Sequence, residues 1–409
     1  MTIGLLGGAA GAATTLLLNV IEHMTYHASF GDLLGGVTGS SPIRRATGPM
    51  IGGALAGCGW WLLRRRSAVP TVAEAITRPA PLPRRSMTID SALQILLVGS
   101  GASLGRENAP RQLAVALGDL GSARLALTAR DREILLACAA GAGLAAVYSV
   151  PIGGALFALR VILRSWNLRA AGTALITSSL AVAVAAPVTH EQPPLHWPDA
   201  QVSYLLIAVA VLLAPLALAV GLAFNRVTAW ARSRARTHGP RSWLLIPAIA
   251  AAGLLVGVCS HWWPELPGNG ASILTVSLNS SLTLTSAAAL LVLKPLLTAT
   301  FLRAGAIGGL LTPALATGAA MGSVVALSVN AWTPAHLNVA AVSLACAAAV
   351  LTITQNNPMW AAIFVWELAR PPWWLLIVFA AAALTAHIAN SRLTEGRGLR
   401  RRWFGFRIE

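Results

Sequence analysis

The chain has 409 residues, of which 56% are hydrophobic and only 11% are charged, with a mean hydropathy of +0.67. A soluble domain carries roughly 25% charged residues, so this composition excludes an ordinary soluble fold and indicates an integral membrane protein. The net charge is +16, carried almost wholly by arginine; the arginines stand in short clusters between apolar segments, which excludes a nucleic-acid-binding surface and fits the positive-inside rule.

Apolar segments follow one another near 3–21, 47–63, 92–104, 108–120, 134–148, 152–163 and 171–187 in the first half of the chain. The N-terminal segment lacks a basic flank and reads as a first span rather than a cleavable signal. A polar, proline-rich stretch without Lys or Arg, THEQPPLHWPDAQ (189–201), separates these from apolar segments near 202–224, 243–260, 286–302, 309–329, 337–353, 358–368 and 373–390. The expected organisation is a first membrane half (1–188), an external linker (189–201), a second membrane half (202–391) and a basic cytoplasmic tail (392–409). Arg64–Arg65–Arg66, the run Arg226/Arg232/Arg234/Arg236 and the tail Arg397/Arg400/Arg401/Arg402/Arg407 set the cytoplasmic side.

Several of these segments are too short for a bilayer core of about 30 Å, and Gly and Pro interrupt them. Irregular backbone at membrane depth survives only when it is buried in protein or lines a cavity. Breaks in corresponding places of two halves point to a transport site, and the break at 99–107 has a counterpart at 305–313. A helix that starts at such a break turns unpaired N–H groups and the positive end of its dipole toward the break, which suits an anion. Three starts qualify: Ser67–Pro70, Gly105–Pro110 and Gly309–Pro313. Glu107 stands at the second, in GSGASLGRENAPRQ (Gly99–Gln112). Ionised, it competes with a bound anion for the same donors; protonated, it loses that attraction. Carboxylates within membrane segments are functional by default.

At these residues the chain resembles the CLC chloride channel and transporter family. GRENAP is similar to that family's GREGP, GAGLAAVYSVPIGGALFALRVI (141–162) to a GLAAAFNAPLAGILF-like run, GAIGGLLTPALATGAAMG (305–322) to a GxFxP stretch, and SAVPTVAEAI (67–76) to GSGIPE. The resemblance implies an all-α membrane fold of many tilted and broken helices in two inverted-topology halves, assembled as a homodimer in the plasma (inner) membrane. It implies that Glu107 is the gating glutamate, that Ser67 offers its hydroxyl to the anion, and that Arg106, Asn108, Leu310 and Leu311 surround the anion sites. Departures accompany it. Asn108–Ala109 precede the proline (Pro110), Ala68 follows Ser67, and Leu311 replaces the phenylalanine of GxFxP. Val161, after Arg160, stands where exchangers of the family carry an inner glutamate. The central tyrosine has no counterpart, since the chain has only Tyr26, Tyr148 and Tyr204. The family's nucleotide-binding cytoplasmic domains are not expected.

The expected function is transmembrane transport of chloride or a similar small anion, gated by a glutamate; the retained gate favours coupling to proton antiport. The alternative is a passive chloride or fluoride channel, and a distant one is a non-transporting membrane scaffold. No catalytic set, metal cluster or phosphate loop is evident: the break is spaced GxGxxxG and no strand precedes it, so no cofactor, metal or enzymatic role is expected. The cysteines Cys58, Cys138, Cys259 and Cys346 read as packing residues, and His23 and His27 as interfacial. Glu367 reads as a satisfied structural acid, and the sole lysine, Lys294, as the partner of a buried acid or an attractor of anions. The pairs Trp60–Trp61, Trp262–Trp263 and Trp373–Trp374 fit interfacial belts.

Overall fold

The structure is a computed structural model. It describes residues 1–409 except 78–80, 123–126, 190–202, 236–241, 280 and 404–409, and only the backbone at 122 and 395–403. Most of the linker expected at 189–201 and Arg236 and Arg407 of the basic clusters therefore lie outside the described residues.

The described chain is helical throughout. In order, the helices are α1 (Thr2–Tyr26), α2 (Leu33–Gly39), α3 (Pro42–Arg66), α4 (Val72–Thr77), α5 (Arg84–Gly99), α6 (Asn108–Ser122), α7 (Ala129–Tyr148), α8 (Pro151–Leu156), α9 (Leu168–Thr189), α10 (Tyr204–Leu212), α11 (Ala214–Ala235), α12 (Leu245–Cys259), α13 (Ala271–Leu278), α14 (Leu284–Arg303), α15 (Leu311–Trp332), α16 (Val339–Gln355), α17 (Pro358–Ala369) and α18 (Leu375–Trp403). One π-helical segment, Phe157–Ile162, extends α8. Among the described residues six helices are long and apolar enough to cross a membrane: α1, α9, α11, α14, α15 and the Leu375–Thr394 part of α18.

Local sequence sets the ends. Thr128, Thr283, Asn338 and Asn357 cap α7, α14, α16 and α17 by accepting an N–H three residues on. Pro151 and Pro358 occupy first-turn positions, where no hydrogen bond is lost. His27, Ser149, Asn356 and Arg370 close α1, α7, α16 and α17 in the left-handed region.

The helices in the middle of the molecule are the Ala- and Gly-rich ones. From Ile134 onward nearly every residue of α7 is buried, and α16 is buried from Val339 to Ile353. Small side chains let backbones approach closely where hydrophobic burial gives no preference for protein over lipid. α15 packs on α16, α3 on α12, and α7 on α1 and α9. This packing encloses the two chain breaks, so their irregular backbone is shielded from lipid.

Three features differ from the expected elements. The apolar segment at 202–224 is two helices, α10 and α11, joined at Leu213. α5 begins in the polar sequence RRSMTIDS rather than at 92, because its buried face carries hydrogen-bonded Asp90, Ser91 and Gln94. The tail from 392 continues α18 as helix to Trp403.

Candidate anion site

The two glycine-rich breaks meet. Gly105 and Gly309 exchange both backbone hydrogen bonds, N–H to O at 2.8 Å from Gly105 and at 2.9 Å from Gly309. Thr298 Oγ1 donates to the carbonyl of Ser103 at 2.8 Å, and Gly268 N–H donates to that of Gly101 at 3.0 Å. The irregular backbone is thus largely satisfied from within the protein, as burial at membrane depth requires.

Glu107 projects from this junction and is 0% exposed. Its Oε1 accepts the backbone N–H of Leu311 at 2.7 Å, and its Oε2 accepts the hydroxyl of Thr312 at 2.8 Å. Leu311 and Thr312 are the first two residues of α15. The carboxylate therefore sits on the unpaired donors at the positive end of a helix it does not belong to. Glycine is needed at both flanks: a Cβ on Gly105 would stand 2.2 Å from Oε2, and one on Gly309 would stand 1.9 Å from Oε1. Glu107 precedes α6 on a non-helical stretch, and Arg111 Nε donates to its main-chain carbonyl at 2.8 Å.

The expected site residues divide. Leu311 supplies its N–H directly. Leu310 is the N-cap residue of α15 and flanks that donor. Arg106 is buried, donates to the carbonyl of Val147 at 3.4 Å and lies over the Tyr148 ring at 5.3 Å. Its Nε has no hydrogen-bond partner. Asn108 points away from the carboxylate: its Nδ2 donates to Gln94 Oε1 at 2.9 Å, and the residue lines a cavity of about 1160 Å³ with Asp90, Gln112, Val69, Pro70 and Gly305–Gly308. Two of the three expected helix starts converge at Glu107, and the third approaches only this cavity.

The third start is built differently from the other two. No long helix follows Ser67. α4 has six residues, and the chain's own Glu74 occupies its first turn, accepting the N–H of Thr71 at 2.9 Å. Ser67 is the C-cap residue of α3, and its hydroxyl donates to Ser86 Oγ at 2.8 Å. Ser67 itself is extended, and its hydroxyl meets α5.

Four further readings meet the structure. Lys294 is 0% exposed and donates to the carbonyls of Leu266 at 2.9 Å and Gly268 at 2.7 Å, so backbone in the α12–α13 loop, rather than an acid, receives it. Glu367 accepts the N–H groups of Ile152 at 3.0 Å and Gly153 at 2.6 Å at the start of α8. Trp60 is not interfacial: it is fully buried, with Nε1 donating to Asp90 Oδ1 at 2.7 Å, and Trp374 is also buried. His23 and His27 stack edge to face at 6.0 Å, and His27 Nε2 pairs with Arg44.

Sequence reasoning missed Tyr148, Thr312 and Arg111. The hydroxyl of Tyr148 lies 3.4 Å from Glu107 Oε2 and 3.2 Å from Thr312 Oγ1. A signal existed: GLAAVYSVP carries tyrosine where the similar GLAAAFNAP run carries phenylalanine.

Two broken chain segments paired at the centre of a helical bundle, with a buried acid on a helix N-terminus, define a membrane protein that handles small anions. The chain belongs to a family of that class: the model described as voltage gated chloride channel matches residues 52–391. It is a multi-pass integral membrane protein of an anion-transporting family. The voltage-gated ClC-type chloride channel ClcB of Escherichia coli (strain SMS-3-5 / SECEC) is 27% identical over 383 residues, covering 90% of this chain and 88% of the relative. A slow cyanobacterial Cl⁻/H⁺ antiporter has a similar fold, with a TM-score of 0.82 at 20% identity over 96% of this chain and 93% of that one. A CLC-type fluoride/proton antiporter gives a TM-score of 0.67 at 17% identity over 94% and 92% of the two chains.

Proposed function

We propose that the protein exchanges chloride, or a similar small anion, for protons, with Glu107 as both gate and proton acceptor. The observation that carries this reading is the docked carboxylate, which holds the Leu311 N–H and the Thr312 hydroxyl. Ionised, the side chain occupies donors suited to an anion. Protonated, it loses the charge that holds it there and leaves them to the ion. Binding through backbone and hydroxyl donors is strong enough to replace hydration and weak enough to release the ion. Arg106 and Leu310 flank this site, Asn108 lines the approach from the cavity, and Ser67 acts indirectly by fixing α3 to α5 through Ser86. No catalytic step belongs to this mechanism.

The assembly we infer is a homodimer in a bacterial inner membrane, with the C-terminus cytoplasmic and the halves 1–188 and 202–391 related as inverted repeats. Support comes from the arginine clusters, the pairing of Gly105 with Gly309 and the likeness to ClcB.

A passive channel is the second reading. It draws on Val161, which stands beside Arg160 in the π-helical segment where the resemblance places an inner carboxylate. Proteoliposomes loaded with chloride separate the two. Chloride efflux that drives protons uphill supports exchange, efflux without proton movement supports the channel, and absence of flux for chloride, fluoride and nitrate rejects both.

A further inference from the structure

Tyr148 ends α7 and is held from two directions. The Arg106 guanidinium lies over its ring at 5.3 Å, and Phe364 of α17 meets it at 5.9 Å with the planes at 82°. Arg106 also reaches back to the carbonyl of Val147, the preceding residue. A ring clamped by a cation on its face and an aromatic partner at its edge has its hydroxyl fixed in space.

That hydroxyl lies 3.2 Å from Thr312 Oγ1 and 3.4 Å from Glu107 Oε2. A phenol has one proton to give. Thr312 directs its own proton to Glu107 at 2.8 Å, so Tyr148 is the donor in both of its contacts and shares its proton between Thr312 Oγ1 and Glu107 Oε2. Each donor is thus used, and each bond polarises the next.

We propose that Tyr148 is an anion-coordinating residue: its hydroxyl, the Thr312 hydroxyl and the Leu311 N–H form one three-donor site for which the Glu107 carboxylate and the transported anion compete. The proposal rests on the reading of Glu107 as a mobile gate. When the carboxylate withdraws, the three donors stay where they are, because α15 fixes two of them and the Arg106–Phe364 clamp fixes the third. Buried donors left without an acceptor are costly, and a halide accepts from all three without demanding direction. The charged groups around the site are Arg106 on the gate's own loop, Arg111 on α6 and Glu22 on α1, which lies near Arg106. The first turn of α15 carries none. All three persist in a Tyr148→Phe variant, which also keeps the ring and its clamp, so any change reports the hydroxyl.

Chloride titration by calorimetry compares Glu107→Ala with Glu107→Ala/Tyr148→Phe. The double variant is expected to bind chloride about tenfold more weakly, the size of a lost hydrogen bond to a charged group. In the Glu107 background, Tyr148→Phe moves the half-maximal pH of chloride flux to the alkaline side by about threefold in proton concentration, because the docked carboxylate loses a long, weak donor. Equal chloride affinity in the two Glu107→Ala proteins overturns the proposal. If Glu107→Ala instead leaves pH dependence intact, the gate reading fails, and the calorimetric comparison still decides whether Tyr148 touches the ion.

Discussion

Glu107 and Glu367 both sit on helix N-termini, and the difference between them bears on the gate role we propose for Glu107 alone. Each accepts two hydrogen bonds from the first residues of a helix far away in sequence: Glu107 from Leu311 and Thr312 on α15, Glu367 from Ile152 and Gly153 on α8. The donors are of similar strength by distance. The tethers differ. Glu367 belongs to α17, so its backbone is locked by the helix, and Trp360 on the same helix donates to the Gly153 carbonyl at 2.9 Å. Helix, aromatic anchor and carboxylate grip α8 together. Glu107 hangs from a non-helical stretch between α5 and α6, and its carboxylate lies between two glycines that leave room for it alone. On the proposed reading one acid is a rivet and the other a latch.

This contrast can be broken or sharpened by substitution. The largest effect is expected from Glu107→Gln, which keeps the shape and removes the charge. Chloride flux should lose its pH dependence and any accompanying proton movement. An unchanged proton-to-chloride ratio in liposomes contradicts the assigned role.

Gly309→Ala comes next. The added methyl would meet the end of the flexible Glu107 side chain, so the carboxylate should yield before the backbone does. Flux at neutral pH should rise severalfold while the thermal melting temperature in detergent stays near that of the parent. A drop in flux with a large loss of stability would place the glycine in the fold and not in the gate.

Glu367→Ala tests the rivet. Two N–H groups at the start of α8 lose their acceptor, at a cost of about 2 kcal/mol. Thermal unfolding should fall while the pH profile of flux stays in place. A moved pH profile would make Glu367 a second gate. The smallest effect is expected from Thr312→Val, where the docked carboxylate loses one hydroxyl and keeps the Leu311 N–H; the half-maximal pH of flux should move to the alkaline side by about tenfold in proton concentration at most.

What the sequence discloses about this site follows from what is local. The acid at a helix start, the glycine-rich breaks at 99–107 and 305–313 and the arginine clusters are all short-range patterns, and the structure brings the two breaks together at Gly105 and Gly309. The membrane class follows from composition and hydropathy, and the all-helical fold from the resemblance its motifs carry. Apart from Arg111, four positions from Glu107, the misses are long-range. Tyr148 reaches Glu107 across 41 positions and Thr312 across 164, because the end of α7 meets the start of α15, and no periodicity encodes that meeting. Pairing with Trp61 misplaces Trp60, and motif likeness does not disclose what the Ser67 hydroxyl meets. Their partners, Asp90 and Ser86, lie on the polar face of α5, a helix whose start the hydropathy pattern hides.

The central claim is that a carboxylate and an anion take turns on the donors of α15. Anomalous diffraction from crystals grown in bromide tests it most directly, comparing the parent protein with Glu107→Ala. The account predicts bromide within hydrogen-bonding distance of the Leu311 N–H and the Thr312 hydroxyl in the variant, and the Glu107 carboxylate at that position in the parent at neutral pH. Bromide bound there beside a docked carboxylate, or absent from those donors in Glu107→Ala, would contradict it.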